Sequence, residues 1–321
     1  MSENNNKQSH ITSIGGQAVI EGVMMRGPHK TTVAVRKPDG EIVTKTDDNG
    51  TKKKNKFLKL PIIRGCVNFI ESMIIGIKAL TFSAEFVDFE SQEETESKFE
   101  KWLEDKFGDK IKDIVIYFSL VVSLFLSVGL FILLPTAITR FLETIFKGVP
   151  FVGTKAFTSL AEGIIRMIIF LSYMALVAQM DDIKRVFEYH GAEHKSIACY
   201  EAKEELTVEN VKRHSRLHPR CGTSFLLFVM VVSIILFSLL PRTSVLPRML
   251  MRIALLPVVA GISYEIIKIA GRGKSKCVTW LTKPGLWLQK LTTREPDDSQ
   301  IEVAIKSLIS VIPEDENEDK W

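Results

Sequence analysis

Ile114-Val115-Ile116-Tyr117-Phe118-Ser119-Leu120-Val121-Val122-Ser123-Leu124-Phe125-Leu126-Ser127-Val128-Gly129-Leu130-Phe131-Ile132-Leu133-Leu134-Pro135-Thr136-Ala137-Ile138 is uncharged throughout, with Asp113 before it and Arg140 after it. About twenty apolar residues in a helix cross ~30 Å of hydrocarbon, so this stretch reads as a membrane span. Three further blocks follow. Residues 223–240 are equally charge-free, residues 164–180 carry Arg166, and residues 249–270 carry Arg252, Glu265 and Lys268. The fold class expected is mainly α: a polytopic helical membrane protein with about four transmembrane helices, a small N-terminal β unit and a cytoplasmic His-rich helical loop.

Composition agrees. Of 321 residues, 46% are hydrophobic, and the mean hydropathy of +0.12 is high for a soluble chain of this length. Lys184, Arg185, Lys195, Lys203, Lys212, Arg213, Arg216 and Arg220 follow the second block; Arg272, Lys274, Lys276 and Lys283 follow the fourth. Short cytoplasmic loops are enriched in such residues, which places both termini and the 181–222 loop in the cytoplasm of a multi-pass protein of the cell (inner) membrane. Met1 to His10 is polar and lacks the apolar core of a signal peptide. Cys66, Cys199, Cys221 and Cys277 are widely spaced on or near the cytoplasmic side, so no disulfide framework is expected. The net charge of +4 suits an anionic leaflet. No nucleic-acid motif accompanies it, so the expected partner is the lipid bilayer and not nucleic acid.

Residues 1–59 form a cytoplasmic β unit and linker. Thr32-Val33-Ala34-Val35-Arg36 and Glu41-Ile42-Val43-Thr44-Lys45 flank the turn-forming Lys37-Pro38-Asp39-Gly40. Ahead of them, the glycine-rich run from Gly15 to Pro28 reads either as strand and turns or as a loop lining a site with Glu21 and Arg26. Residues 60–112 read as an amphipathic or re-entrant helical segment, because Arg64, Glu71 and Lys78 make 60–86 poor for a lipid-exposed span. Residues 113–270 hold the four spans and the 181–222 loop. Within them Glu162 and Arg166 have the spacing of a helix ion pair, and Glu265 is a candidate site-lining residue, since ionisable groups at membrane depth are costly and often functional. Residues 271–321 are a cytoplasmic C-terminal segment. It has Trp280 and Trp287 as interface anchors, and a capping box at Ser299-Gln300-Ile301-Glu302 opening a helix through about Ile309.

The chemistry concentrates in the 181–222 loop, which holds four of the 6 histidines. His190-Gly191-Ala192-Glu193-His194 sets two imidazoles four residues apart, so on a helix both can reach one divalent metal. The pattern H-x-x-E-H is the inverted zinc-protease motif, in which the Glu is the general base. On a helix continuing from the second span through about Tyr200, His190, His194 and Glu201 fall within about 40° of one another. A second helix, from an N-cap at Thr207 to His218, would put His214 and His218 on one face, with Cys221 as a further candidate ligand.

Gly15-Gly16-Gln17-Ala18-Val19-Ile20-Glu21-Gly22-Val23-Met24-Met25-Arg26, His190-Gly-Ala-Glu193-His194-Lys195, Tyr200-Glu201, His218-Pro219-Arg220-Cys221-Gly222-Thr223 and Pro284-Gly285-Leu286 resemble the YqhQ family of bacterial polytopic membrane proteins. The resemblance covers nearly the whole chain after the first dozen residues. It implies a metal-dependent enzyme with its metal near His190 and His194, and it names no substrate.

The function expected first is a membrane-embedded metal-dependent hydrolase. His190 and His194 would bind a divalent metal, zinc by ligand type, with Glu201 or His218 as third ligand and His214 and Cys221 as further candidates. Glu193 would activate water. A site beside the bilayer points to a lipid-linked or membrane-peptide substrate. One alternative is a scaffold or transport accessory with a structural zinc on Cys199, His218 and Cys221, its polar cavity lined by Glu71, Glu162 and Glu265; four spans are few for a transporter unless the chain forms an oligomer. The other is a histidine-box di-iron oxygenase, in which carboxylates would have to complete a set of only 6 histidines.

Overall fold

The computed structural model describes residues 10–50, 60–86, 110–149, 151–241, 244–272, 276–315 and 317–320. The lysine-rich run at 51–59, most of the charged stretch 85–112 and the side chains of Cys277 and Trp280 lie outside the described residues. The strands are β1 (Gly15–Val19), β2 (Gly22–Arg26), β3 (Lys30–Arg36) and β4 (Ile42–Asp48). The helices are α1 (Ile63–Ala84), α2 (Lys110–Val128), α3 (Leu134–Ile145), α4 (Lys155–Val177), α5 (Asp181–Glu201), α6 (Val208–Arg213), α7 (Gly222–Ser238), α8 (Val245–Arg272), α9 (Lys276–Thr292) and α10 (Asp298–Ile309).

The four strands form an antiparallel sheet in sequence order. Strand residues alternate between faces, and the register pairs Met24 with Val33 and Val23 with Ala34. Val19, Met24, Val33 and Val35 therefore share one face, which packs on α1 through Ala79, Ile75, Phe82 and Phe86. Val23, Met25 and Ala34 share the other, which packs on α5 and α10 through Tyr189, Ile197, Ile301 and Leu308. Burial of each such large side chain contributes about 1.5–3 kcal/mol. The glycine-rich opening is thus strand and turn, with Glu21 at the β1–β2 tip at φ 50°. The Lys37–Gly40 turn forms where expected, and Gly40 supplies its φ of 87°.

The chain divides into two compact units: Met1–Val87, Met174–Ser233 and Val245–Trp321 make one, Asp88–Tyr173 and Ile234–Ser244 the other. The first holds the sheet with α1, α5, α6 and α10. Its two ends meet: Thr12 bridges Lys320, and the His10 ring lies 2.7 Å from Asp319. In the second, α2 runs through a π-helical turn, Gly129–Leu133, into α3. Pro135 there has no N–H to offer the Phe131 carbonyl one turn back. Arg166 Nε donates to that carbonyl instead, at 3.0 Å, and the same guanidinium pairs with Glu162 at 2.9 Å.

Among the described residues, four helices are long and apolar enough to cross a membrane: Ile63–Ala84, Val121–Ile145, Phe157–Val177 and Leu246–Ile269. The number agrees with expectation, but the set differs. Residues 63–84 qualify although their charges argued against a lipid-exposed span, while α7 is a shorter apolar helix of 17 residues. Phe125 (72% exposed), Leu176 (67%) and Leu239 (70%) present large apolar surface outward, which suits lipid and not water.

Three local expectations are corrected. The histidine helix does not continue from the span before it: α4 ends at Val177 and α5 restarts after an extended Met180, with Asp181 and Asp182 in its first turn, where the helix dipole favours acids. Thr207 does cap α6, its hydroxyl accepting from the Asn210 amide. That helix ends at Arg213, however, so His214 and His218 lie beyond it and share no helical face. The C-terminal capping box is Asp297 with Gln300, two residues before the Ser299 box.

Candidate metal centre

Helix α5 presents His190, Glu193 and His194 from its buried middle. Its sequence allows a close approach at only one place. A Cβ on Gly191 would run into the Arg294 carbonyl and come within 3.4 Å of Pro296 Cδ, so the strap after α9 lies directly on the helix backbone. The Arg294 amide donates to the Phe187 carbonyl at 2.8 Å, which fixes the strap there. The same strap brings the Thr292 carbonyl to 2.8 Å from His190 Nδ1. The Arg216 carbonyl lies 2.6 Å from His194 Nδ1. A carbonyl only accepts, so both Nδ1 atoms carry the proton and both Nε2 atoms are left to a ligand, the arrangement found around metal-binding imidazoles.

Cys221 completes the group. Its sulfur lies 3.3 Å from His190 Nε2, and ligand atoms of His190, His194 and Cys221 all fall within 4.8 Å of one another. Zn–N and Zn–S bond lengths put tetrahedral ligands about 3.3–3.6 Å apart, so the set fits an ion with a small contraction. Cys221 directly precedes α7, and the Thr223 amide points at its sulfur at 3.4 Å, a helix-start setting that favours thiolate. Burial pushes the Cys221 thiol up, but the His190 and His194 imidazoles outweigh it and hold it well below its ordinary value. Burial would lower His190, yet the Cys221 sulfur and the Glu193 carboxylate beside it raise it to about 9. His194 and Cys221 are buried, and His190 is partly buried.

Glu193 lies under this group. Gly16 of β1 packs on it: a Cβ at Gly16 would come within 2.9 Å of the Glu193 carboxyl carbon. The Gly16 amide donates to the carboxylate, and Oε2 has no hydrogen-bond partner among the described residues. Burial raises the Glu193 carboxyl above its ordinary value, against the pull of the two imidazoles.

The other candidates go elsewhere. Glu201 accepts from Arg220 and from the Thr12 amide, and stands 3.6 Å from His218 Nε2. The His218 ring is 5.6 Å from that of His194, but its Nε2 faces Arg220 at 3.2 Å. His214 belongs to a separate group with Cys199 and Glu204, pairing with Glu204 at 3.3 Å. Glu21 holds Arg185 and the Tyr189 hydroxyl, Arg26 pairs with Glu71 at 3.4 Å, and Glu265 pairs with Arg64. Gln289, which no spacing signalled, clamps the His218 backbone: its oxygen accepts from the His218 amide at 2.8 Å and its nitrogen donates to the His218 carbonyl at 2.7 Å. The carbonyls of Thr292 and Arg216 were equally silent, because a backbone acceptor leaves no trace in residue type.

Comparison with known proteins places the chain. The profile of a family described as "Protein of unknown function (DUF1385)" matches residues 60–314. The uncharacterized protein YqhQ of Bacillus subtilis (strain 168) is 39% identical over 300 residues, covering 91% of this chain and 90% of that one. No solved structure matches. With most of its length matched by the profile and by this relative, the chain belongs to the DUF1385 family.

Proposed function

We propose that the chain is a metal-dependent enzyme of the cell membrane, most simply a hydrolase, with its termini and its centre on the cytoplasmic face. The observation carrying this is the donor set: two carbonyl-held imidazoles and a thiolate within 4.8 Å, with no fourth side chain in the group among the described residues. Three protein ligands and an open position characterise catalytic zinc sites, whereas structural ones close with four. A divalent ion there, zinc for N and S ligands, would acidify water or polarise a carbonyl or phosphoryl oxygen. Glu193, with its raised carboxyl and unpartnered oxygen, is suited to take a proton, its other side held by the Gly16 amide. A position next to apolar helices favours a lipid-linked or membrane-peptide substrate.

Cobalt(II) substitution tests this without a known substrate. The expected spectrum is four-coordinate, with a thiolate-to-cobalt charge-transfer band that disappears in Cys221→Ser. Added azide or acetohydroxamate should shift the ligand-field bands through the open position. A spectrum indifferent to such ligands would mean a closed, structural site.

A further inference from the structure

Helix α1 buries one face and leaves the other uncovered. Gly76 lies on the Gln17 side chain, Ala79 sits in the core formed with the sheet, and Lys45 stands 5.1 Å over the Phe82 ring. On the opposite side Phe69, Ile70, Met73, Ile74, Ile77 and Leu80 are 39–59% exposed. At 100° per residue they fill an arc of about 140° that contains no charge, with Lys78 at its edge.

Length and composition would let this helix cross a bilayer, but its contacts argue otherwise. From Glu71 onward it lies along the sheet, whose strand β4 exposes Lys45, Asp47 and Asp48. A crossing helix would draw that charged, open edge into hydrocarbon, where unpaired backbone groups cost several kcal/mol each. The number of crossings gives an independent argument. Strands β1 and β2 pack on α5, so sheet and α5 share one side of the membrane, and an even number of crossings must separate them. Among the described residues, three apolar helices lie in that interval, at 63–84, 121–145 and 157–177. An even number means that at least one of them does not cross, and α1, with the charged sheet lying on it, is the one singled out. Its start crosses α8, with Gly65 packed on Gly261 and Cys66 Sγ donating to the Pro257 carbonyl at 2.8 Å, while Asn68 donates to the Tyr264 hydroxyl at 2.9 Å and Phe69 stacks on Phe225 at 5.6 Å, four residues past Cys221.

We propose that α1 lies in the plane of the cytoplasmic membrane surface, its apolar arc seated in a phospholipid bilayer and its other face carrying the sheet. Phe69, at one edge of the arc, stacks on Phe225 of α7, and the next residue of that helix, Leu226, is exposed as well. Because Gly16 of the sheet packs on Glu193, α1 also holds the centre at the bilayer surface. The proposal rests on the multi-pass architecture and not on any bound metal.

Nitroxide labels at Ile70, Met73, Ile77 and Leu80, with Ser72 and Lys78 off the arc, test it in phosphatidylethanolamine–phosphatidylglycerol vesicles. Cys66→Ser, Cys221→Ser and Cys277→Ser provide the background, and the buried Cys199 stays in place. Oxygen and nickel-chelate relaxation should put all four arc positions at one shallow depth below the phosphates, and Ser72 and Lys78 nearer water. A depth rising steadily by about 1.5 Å per residue from Ile70 to Leu80 would make α1 a span and overturn the proposal. Water-like accessibility on the arc, or spin–spin broadening from a second copy, would overturn it as well.

Discussion

At the scale of single residues, the centre depends on backbone groups as much as on its ligands. Gly191 is the hinge of that dependence, since any side chain there meets the Arg294 carbonyl. Gly191→Ala should cost about 1–3 kcal/mol as overpacking. By shifting the Thr292 carbonyl from His190 Nδ1 it should also weaken zinc binding about 10–100-fold, the usual penalty for disturbing a ligand's supporting hydrogen bond. Competition with a chromophoric chelator measures the second effect, and a thermal melt the first. Glu193 makes a contrasting prediction: Glu193→Gln should keep the zinc content and the His190–Cys221 geometry, because the carboxylate is not in the ligand group. A variant that loses zinc would make Glu193 a ligand. Zinc should also protect Cys221 from alkylation by iodoacetamide, while Cys199, outside the group, should be unaffected.

At the scale of elements, the clearest energetic claim concerns the start of α10. Asp297 accepts from the Gln300 amide at 2.9 Å while the Gln300 side chain accepts from the Asp297 amide at 2.9 Å. Asp297→Ala should cost about 1 kcal/mol. Burial pushes the Asp297 carboxyl up, but hydrogen bonds from the Ser299 hydroxyl and the Gln300 amide outweigh it and hold the carboxyl below its ordinary value. A folded-state pKa below the unfolded one means that the contribution is complete above about pH 4, the ordinary Asp range, and fades as pH falls through the lower folded value. The melting difference between wild type and Asp297→Ala should therefore be full at pH 6 and shrink below pH 3. Elements with a periodic or capping signal were legible in the sequence: the β3–β4 hairpin from its turn, the apolar helices from their length, α6 from Thr207. The displaced features follow physical competition. A Ser299 box loses to Asp297, which caps two residues earlier, and α6 stops at Arg213 because the chain turns extended at His214.

At the scale of the whole molecule, the sequence showed the apolar blocks, which form helices long enough to cross a membrane, and the His190/His194 pair, which the fold brings together with Cys221, since both are written in residue type at fixed spacing. The third member of the ligand group was not fixed by spacing. Helical periodicity favoured Glu201, yet Glu201 is taken by Arg220 and Thr12, and Cys221 arrives from the start of α7, some thirty residues away in sequence. Arg64, Glu71 and Lys78 marked 60–86 in the sequence as poor for a lipid-exposed span; what residue type did not carry is the sheet packed on that helix, and by length and composition alone it qualifies as a span. The most direct test of the central claim is metal content by mass spectrometry on the detergent-purified chain beside a His190→Ala/His194→Ala variant. One tightly held divalent ion per chain, absent from a variant that remains folded, is the predicted result. A well-folded wild type without stoichiometric metal, even after zinc reconstitution, would contradict it.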